Sequence, residues 1–263
     1  MFKLKRSLLF FTSFILFSSF VYVYQTARPT LFLIGDSTVK NGSGKGGSNL
    51  WGWGDFVAPY FDTNKISIEN HALGGTSSRT FQTKGLWQKV LDKMHEGDFL
   101  IMQFGHIDGS ALDDTARARG TIKGVSEESK EIYNPITKQQ EVVHTYGWYL
   151  RKFVSDAKAK GATVIICSPI PRNEWKNGVV VRNDDNYGKW AKETAETTGS
   201  VFIPLNKIIA EKWEEKGAEA AKAYFPGDHT HTNKEGAELN AAAVTSGLRN
   251  TESPLKIFLL QGK

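Results

Sequence analysis

From Pro29 onward, short apolar runs alternate with longer amphipathic stretches, the pattern of a chain that alternates strands and helices. The apolar runs are four to six residues long, as expected for strands buried on both faces of a parallel sheet. Right-handed crossovers between such strands place helices on both sides of the sheet. We therefore predict an α/β fold, a three-layer doubly wound sandwich. Its five predicted parallel strands are Leu31–Ile34, Ile66–Asn70, Phe99–Phe104, Thr163–Ser168 and Val201–Leu205.

Helical patterns lie between these strands. One apolar stripe runs from Leu150 to Ala157 and is followed by Gly161, and another starts at Tyr187 and is followed by Gly199, two glycines suited to helix C-caps. Asp184 and Asp185 stand near the second helix start, and Thr232, Asn233, Lys234 and Glu235 form a capping-box pattern for a third helix.

Two long segments have no clear periodicity, Asn41–Trp53 and the roughly forty residues of Gly105–His144. Connections of this length usually serve a ligand. No internal repeat or linker interrupts the rest of the chain, so we expect residues 29–263 to form one domain.

The N-terminus has the features of an export leader. Lys3, Lys5 and Arg6 precede an apolar stretch from Leu8 to Tyr24, so residues 1–28 are expected to be a signal peptide or, through residues 7–24, an N-terminal membrane anchor. We expect an exported protein that is periplasmic, extracellular or membrane-anchored.

Charge and cysteine content exclude several classes of protein. The net charge of +5 comes largely from the leader, because the residues after Arg28 contain 29 basic and 28 acidic side chains. Without a basic stripe, we expect no nucleic-acid partner. The single cysteine, Cys167, excludes an internal disulfide and a multi-cysteine metal site.

Ser37 lies just past the carboxyl end of the first predicted strand, after Gly35 and Asp36. In a doubly wound sheet, side chains at this edge form the ligand site, so Ser37 is a candidate nucleophile. A serine after a strand can equally cap a helix.

A serine nucleophile needs a base, and the segment Asp228-His229-Thr230-His231 supplies one. A carboxylate three residues before an imidazole can accept its Nδ1 proton and leave Nε2 free, which favours His231 as base and Asp228 as its partner. His229 is the competing base. A metal site is the other interpretation, and His71, His106 and His144 are the remaining imidazoles, but no third ligand has a recognisable spacing.

Glycines after the second and third strands could bring backbone N–H groups to a substrate oxygen. Gly74 and Gly75 follow the second strand, and Gly105 follows the third. A plain turn is the alternative for the Gly74-Gly75 pair.

Together these ordered segments resemble the SGNH, or GDSL, hydrolase superfamily, and most closely its rhamnogalacturonan acetylesterase branch. The resemblance covers most of residues 30–245. It is carried by Gly35-Asp36-Ser37-Thr38-Val39, Gly74-Gly75, Ser78-Arg79-Thr80, Phe104-Gly105-His106-Ile107-Asp108 and Asp228-His229-Thr230-His231.

The resemblance implies a flavodoxin-like fold and a serine esterase that removes O-acetyl groups from pectic rhamnogalacturonan, with no metal and no cofactor. It implies that Ser37 is the nucleophile, His231 the general base and acid, and Asp228 its orienter. The backbone N–H groups of Ser37 and Gly75 would bind the oxyanion.

One position departs from the family pattern. Ile107 stands where the family has an asparagine whose side-chain amide is the third oxyanion donor. Because losing such a donor costs roughly 10²–10³ in rate, we expect lowered turnover unless His106 or a loop donor compensates.

Three functional hypotheses follow. The first is the acetylesterase; the second is an esterase or lipase acting on another acyl ester or acetylated glycan; the third is a catalytically weakened glycan-binding protein. We expect a monomer whose partner is an acetylated polysaccharide or oligosaccharide. The candidate substrate-binding residues are Trp51, with Trp53 nearby, His106, and the arginines Arg79, Arg117, Arg119 and Arg172.

Overall fold

The computed structural model describes residues 28–262 of the 263-residue chain. Its strands in that range are β1 Thr30–Gly35, β2 Ser67–Asn70, β3 Phe99–Gln103, β4 Ser129–Asn134, β5 Gln139–His144, β6 Thr163–Cys167, β7 Trp175–Lys176, β8 Val179–Val180 and β9 Val201–Ile203.

The helices alternate with the strands of the main sheet. The α-helices are α1 Ser78–Thr83, α2 Leu86–Leu91, α3 Tyr146–Ala159, α4 Tyr187–Thr198, α5 Leu205–Lys216, α6 Ala218–Lys222 and α7 Lys234–Arg249. Short 3-10 helices occupy Gly47–Asn49, Trp53–Phe56, Ala58–Tyr60 and Pro254–Phe258.

The main sheet has five strands in the order β2-β1-β3-β6-β9, and every neighbouring pair is parallel. This is the flavodoxin-like order, in which the ligand crevice lies at the carboxyl edge where the strand order reverses, beside β1 and β3. The predicted parallel sheet is confirmed, and strand ends differ from the prediction by up to two residues. Leu205, predicted in the last strand, is the first residue of α5.

Alternating residues of the strands bury their side chains in two separate cores. Leu31 and Leu33 of β1 belong to one core, which also contains Trp213 of α5 and Val244 of α7. The other face of the sheet packs against α1 to α4, through a cluster that includes Phe32, Ile34, Phe81, Trp87, Phe153 and Ala191. Burial on both faces explains why these strands have continuous apolar sequences.

The segment Gly105–His144, predicted to be irregular, contains an antiparallel hairpin of β4 and β5. Exposed, mostly polar residues cover its outer side, so the alternation that indicates a strand is weak here. Ile132 and Val143 are its buried apolar residues.

Two helices begin at caps other than those predicted. Asn186, not Asp184 or Asp185, caps α4, since its side-chain oxygen accepts a 2.6 Å hydrogen bond from Tyr187 N. Asn233 caps α7 by accepting from Gly236 N at 3.0 Å, while Thr232 pairs with Trp51 in an isolated bridge.

Within residues 28–262, no helix is both long enough and apolar enough to cross a membrane. The predicted leader, apart from Arg28, lies outside the described residues.

Candidate active site

The structure brings Ser37, His231 and Asp228 together at the carboxyl edge of the main sheet. Ser37 Oγ lies 2.8 Å from His231 Nε2, and His231 Nδ1 lies 2.6 Å from Asp228 Oδ2. Because a carboxylate accepts, Nδ1 carries the proton and Nε2 presents its lone pair to the serine hydroxyl. This arrangement can take the serine proton as the oxygen attacks a carbonyl.

Asp228 is held by the backbone of its own turn. Its Oδ1 accepts hydrogen bonds from Thr230 N at 2.6 Å and from His231 N at 2.8 Å. Partial burial alone would raise the pKa of Asp228, but the bonds from the His231 ring and the two N–H groups outweigh it and lower the pKa to about 2. Asp228 is therefore a carboxylate at all but strongly acidic pH.

The alternative roles of Ser37 and His229 can be compared with their positions in the structure. Ser37 lies in a turn and starts no helix. Both ring nitrogens of His229 lie near other groups: its Nε2 lies 2.9 Å from Arg172 Nη1, and its Nδ1 lies 3.5 Å from Glu174. Among residues 28–262, no three His, Cys, Asp or Glu side chains are grouped closely enough to hold a metal ion.

The turn that presents Ser37 depends on its neighbours. A side chain at Gly35 would lie 2.4 Å from Val39 Cγ2 and 2.5 Å from the Gln103 carbonyl oxygen, so only glycine fits. Asp36 Oδ1 then accepts from Thr38 N at 2.9 Å and from Thr38 Oγ1 at 2.7 Å, which closes the turn around Ser37.

Ser37, Gly75, Ile107 and His231 line one open cavity of about 390 Å³, here called the catalytic cavity. Gly75 has a φ of 80°, a backbone conformation that favours glycine. Within the described chain, the N–H groups of Ser37 and Gly75 donate no hydrogen bond. Both are available to a substrate oxygen, as the resemblance implies.

Ile107 contributes no donor to the catalytic cavity, and His106 does not replace it. The His106 ring is held on both sides, with Nδ1 3.2 Å from Asp36 Oδ2 and Nε2 3.0 Å from the Ile170 carbonyl oxygen. Its side chain is 5% exposed. Both ring nitrogens of His106 have partners, so the ring has no free donor with which to compensate for Ile107. Its predicted contact with substrate stays a prediction, because His106 forms part of the cavity wall.

Two buried carboxyl groups lie behind the cavity wall, and their pKa values are shifted in opposite directions. Burial alone would raise the pKa of Asp36, but the His106 ring and the Thr38 bonds lower it below its usual value. Among residues 28–262, no cationic side chain forms an ion pair with Asp108, and burial raises its pKa to about 7 despite hydrogen bonds from Ser78 N and Oγ. These bonds join the turn after Ile107 to the start of α1.

Arg117, Arg119 and Arg172 line the catalytic cavity. Arg119 Nη1 donates to the Gly75 carbonyl at 3.0 Å, and burial lowers its pKa, with the neighbouring Arg117 charge adding to the shift. Arg172 donates to Thr230 Oγ1 at 2.8 Å and to the His106 carbonyl at 3.1 Å. In the described part of the chain, none of the three forms a salt bridge, so their charges can meet an anionic substrate.

Arg79 does not reach the cavity, which corrects its prediction as a substrate-binding residue. Its side chain is completely buried, and Nε and Nη2 each donate to a Glu141 carboxylate oxygen at 2.7 Å. Its Nη1 donates to the carbonyls of Leu112 and Gly120. Arg79 thus fastens the hairpin and the long loop to α1. No sequence signal links it to Glu141, 62 residues away.

The two tryptophans are also packed rather than presented to the cavity. Trp51 lies edge-on against Phe56 with ring centroids 5.2 Å apart, and Trp53 is fully buried with its Nε1 donating to Gln103 Oε1. Trp51 is absent from the residues that line the catalytic cavity in the described chain, so its predicted substrate contact is not supported.

Arg172, in contrast, lines the catalytic cavity, although the sequence offered little to distinguish it from the other candidate arginines. It follows β6, and its guanidinium links the turn before His231 to the turn that carries Ile107. An arginine after a strand of a parallel sheet is a signal for this edge, but the sequence does not indicate which loops it joins.

Comparison with known proteins agrees with this geometry. Residues 33–239 match the model of the GDSL-like lipase/acylhydrolase family. A rhamnogalacturonan acetylesterase from Emericella nidulans is 32% identical, over 83% of this chain and 86% of that protein. A probable rhamnogalacturonan acetylesterase from Bacillus subtilis is 31% identical, over 86% and 94%.

Solved structures share the fold. An acetylxylan esterase from Geobacillus stearothermophilus superposes with a TM-score of 0.58 at 18% identity, covering 84% of this chain and 94% of that one. Taken with the family match over residues 33–239, these findings show that the chain belongs to the GDSL-like lipase/acylhydrolase family and is an esterase.

Proposed function

We propose that this esterase removes O-acetyl groups from rhamnogalacturonan through an acetyl-enzyme at Ser37. The observation that carries the proposal is the hydrogen-bonded series from Ser37 Oγ through His231 to Asp228, open to the catalytic cavity. The substrate is suggested by the relatives named rhamnogalacturonan acetylesterase.

In the first half-reaction, Ser37 Oγ attacks the acetyl carbonyl carbon while His231 Nε2 takes the hydroxyl proton. Negative charge develops on the carbonyl oxygen, and the N–H groups of Ser37 and Gly75 stabilise it. His231 then gives its proton to the departing sugar oxygen, and the acetyl group remains on Ser37.

In the second half-reaction, His231 takes a proton from a water molecule, which attacks the acetyl-serine. Collapse of the second tetrahedral intermediate releases acetate and returns the proton to Ser37. Asp228 stabilises the imidazolium that forms in each half-reaction and keeps Nδ1 protonated.

The cations at the cavity favour an acidic glycan over a neutral one. Arg117 is exposed, Arg119 is half-buried, and neither forms a salt bridge within residues 28–262. A uronate carboxylate can meet either guanidinium, so replacing Arg117 or Arg119 by alanine should weaken binding of pectic oligomers. Unchanged affinity in both variants would reject this assignment.

A glycan-binding protein with little turnover is the second candidate, and Ile107 is the observation that favours it. The resemblance predicts three donors to the oxyanion. Because Ile107 has no side-chain donor, two of them are present, the backbone N–H groups of Ser37 and Gly75. The other acyl esters and acetylated glycans that this fold can accept form a third outcome of the same test.

Acetate release by the purified chain tests the proposal. Acetylated rhamnogalacturonan, acetylated xylo-oligosaccharides and an aryl acetate are compared, with Ser37→Ala as the control. Release from rhamnogalacturonan that is lost in the control supports the proposal. Equal or higher kcat/KM on the neutral glycan would reject the substrate, and binding without release would favour the second candidate.

We also propose that the protein is exported, because a cationic start and an apolar stretch precede the esterase domain. Fractionation of cells that express the full chain tests this: protein found outside the cytoplasm supports it, and protein confined to the cytoplasm contradicts it.

A further inference from the structure

A second cavity, of about 570 Å³, lies beside the catalytic cavity. His106 and Arg172 line both, so the two cavities share a wall. Its size falls in the range of ligand sites, roughly 300–1,000 Å³. Nothing in the mechanism above uses it.

One side of the second cavity is aromatic. Tyr187 and Trp190, in the first turn of α4, lie edge-to-face with ring centroids 4.8 Å apart, and both are half-buried. Rings that are partly covered and partly open offer an apolar face with polar neighbours, which suits the mixed surface of a sugar ring.

The lining of the second cavity also carries positive charge, from Lys123, Arg172 and Arg182. Lys123 is exposed and forms no salt bridge within the described residues, and Arg172 binds a carbonyl, a hydroxyl and an imidazole. Arg182 differs, because Glu214 holds it through two hydrogen bonds of 2.7 and 2.9 Å. Glu174, also in the wall, lies 3.5 Å from His229.

We propose that the second cavity binds the sugar next to the acetylated one in an acidic glycan chain. The ring of that sugar lies against Trp190, and its carboxylate meets Lys123 and Arg172. This inference rests on the proposed function, because the catalytic cavity must hold the acetylated sugar at the same time. It makes the enzyme selective for acidic chains longer than one sugar.

Lys123→Glu in the full chain tests the inference, since the substitution places a negative charge in the second cavity and removes no contact seen in the structure. Lys130→Glu is the matched control, because Lys130 is an exposed residue of β4 that lines neither cavity. The readout is kcat/KM for acetylated rhamnogalacturonan oligomers divided by kcat/KM for an aryl acetate.

We expect this ratio to fall about tenfold in Lys123→Glu and to stay within about twofold in Lys130→Glu, as for loss of one charged contact. Acetylated xylo-oligosaccharides, which carry no carboxylate on their backbone, should show a smaller fall. An unchanged ratio, or an equal fall in both variants, would overturn the inference.

Failure of the esterase function would be seen separately, as absence of acetate release from every substrate. The cavity is then tested by calorimetric binding of rhamnogalacturonan oligomers to Ser37→Ala protein with and without Lys123→Glu. About tenfold weaker binding with Lys123→Glu, and not with Lys130→Glu, supports the second cavity as a sugar site. Equal affinity overturns it.

Discussion

Two Asp–His pairs lie at the carboxyl edge of the sheet, and they differ in exposure and in the partner of the second ring nitrogen. In one, Asp228 bonds His231 at 2.6 Å, and the two side chains are 47% and 26% exposed. In the other, Asp36 lies 3.2 Å from His106, and the side chains are 0% and 5% exposed.

The difference lies in the partner of the second ring nitrogen. His231 Nε2 faces the Ser37 hydroxyl, a group that can lose its proton. His106 Nε2 faces the Ile170 carbonyl, which only accepts, so Nε2 must keep its hydrogen. An Asp–His pair becomes a base when its free nitrogen meets a proton donor, and a structural tie when it meets a carbonyl.

The largest effect should come from the exposed pair and its serine. His231→Ala and Ser37→Ala should each lower kcat for acetate release roughly 10⁴–10⁶-fold, because neither can act without the other. The double variant should be no slower than either single variant. Additive losses, measured by single-turnover kinetics, would contradict a shared step.

Asp228→Asn should cost less, roughly 10³–10⁴-fold in kcat. An amide can hold Nδ1 in the wrong tautomer but leaves Ser37 and His231 in place. Circular dichroism of the folded variant serves as the control. A loss below about tenfold would show that Asp228 does not orient His231.

A substitution in the buried pair, Asp36 and His106, should lower the stability of the fold. His106→Ala leaves the Asp36 carboxylate buried without its imidazole, a change that typically costs about 3–5 kcal/mol. His71→Ala is the matched control, because its pair with Glu69 is partly exposed and should contribute about 0–1 kcal/mol. Urea unfolding measures both. An equal loss in the free energy of unfolding for both variants would contradict the distinction between the buried and the exposed pair.

Ile107→Asn sharpens the comparison from the other side of the serine. If position 107 faces the oxyanion, the new amide should raise turnover of an aryl acetate by about 10²-fold. Ile107→Leu, which offers no donor, should leave the rate near that of the parent. An unchanged rate in Ile107→Asn would show that this side chain does not face the reacting oxygen.

The last prediction concerns Asp108, a buried carboxyl whose side-chain hydrogen bond in the described chain comes from Ser78. Its folded pKa is about 7, above the unfolded value of about 4, so the folded state holds the proton more tightly. Its contribution to stability should therefore fall as the pH rises from about 4 to about 7. Asp108→Asn should remove this slope in urea unfolding at several pH values, whereas Asp113→Asn, at an exposed site, should keep it. A slope that persists in Asp108→Asn would assign it to other groups.

Local sequence patterns were sufficient to predict the sheet and the three proposed catalytic side chains. The strands are continuous apolar runs, and Asp228 and His231 lie three residues apart in one turn, so their contact depends on local backbone. Ser37 follows β1 directly.

These local patterns did not predict which side chains pair with residues distant in the sequence. Arg79 was predicted to bind substrate because a strand-end arginine gives no sign that Glu141 will neutralise it. The hydrogen bond that holds the His106 ring was missed for the same reason, since the carbonyl that accepts from its Nε2 is 64 residues away in the chain. The role of a side chain at this edge depends on which residue, distant in the sequence, is its hydrogen-bond or ion-pair partner.

The most direct test of the central claim is to trap the acetyl group. The full chain is mixed with an aryl acetate, and the reaction is quenched within one turnover. The protein is then digested, and the mass of the peptide that contains Ser37 is measured by mass spectrometry. We predict one added acetyl group on that peptide, lost in Ser37→Ala and His231→Ala and retained in His106→Ala. An acetyl group on another residue, or one that depends on His106 and not on His231, would contradict the assignment of the exposed pair as the catalytic one.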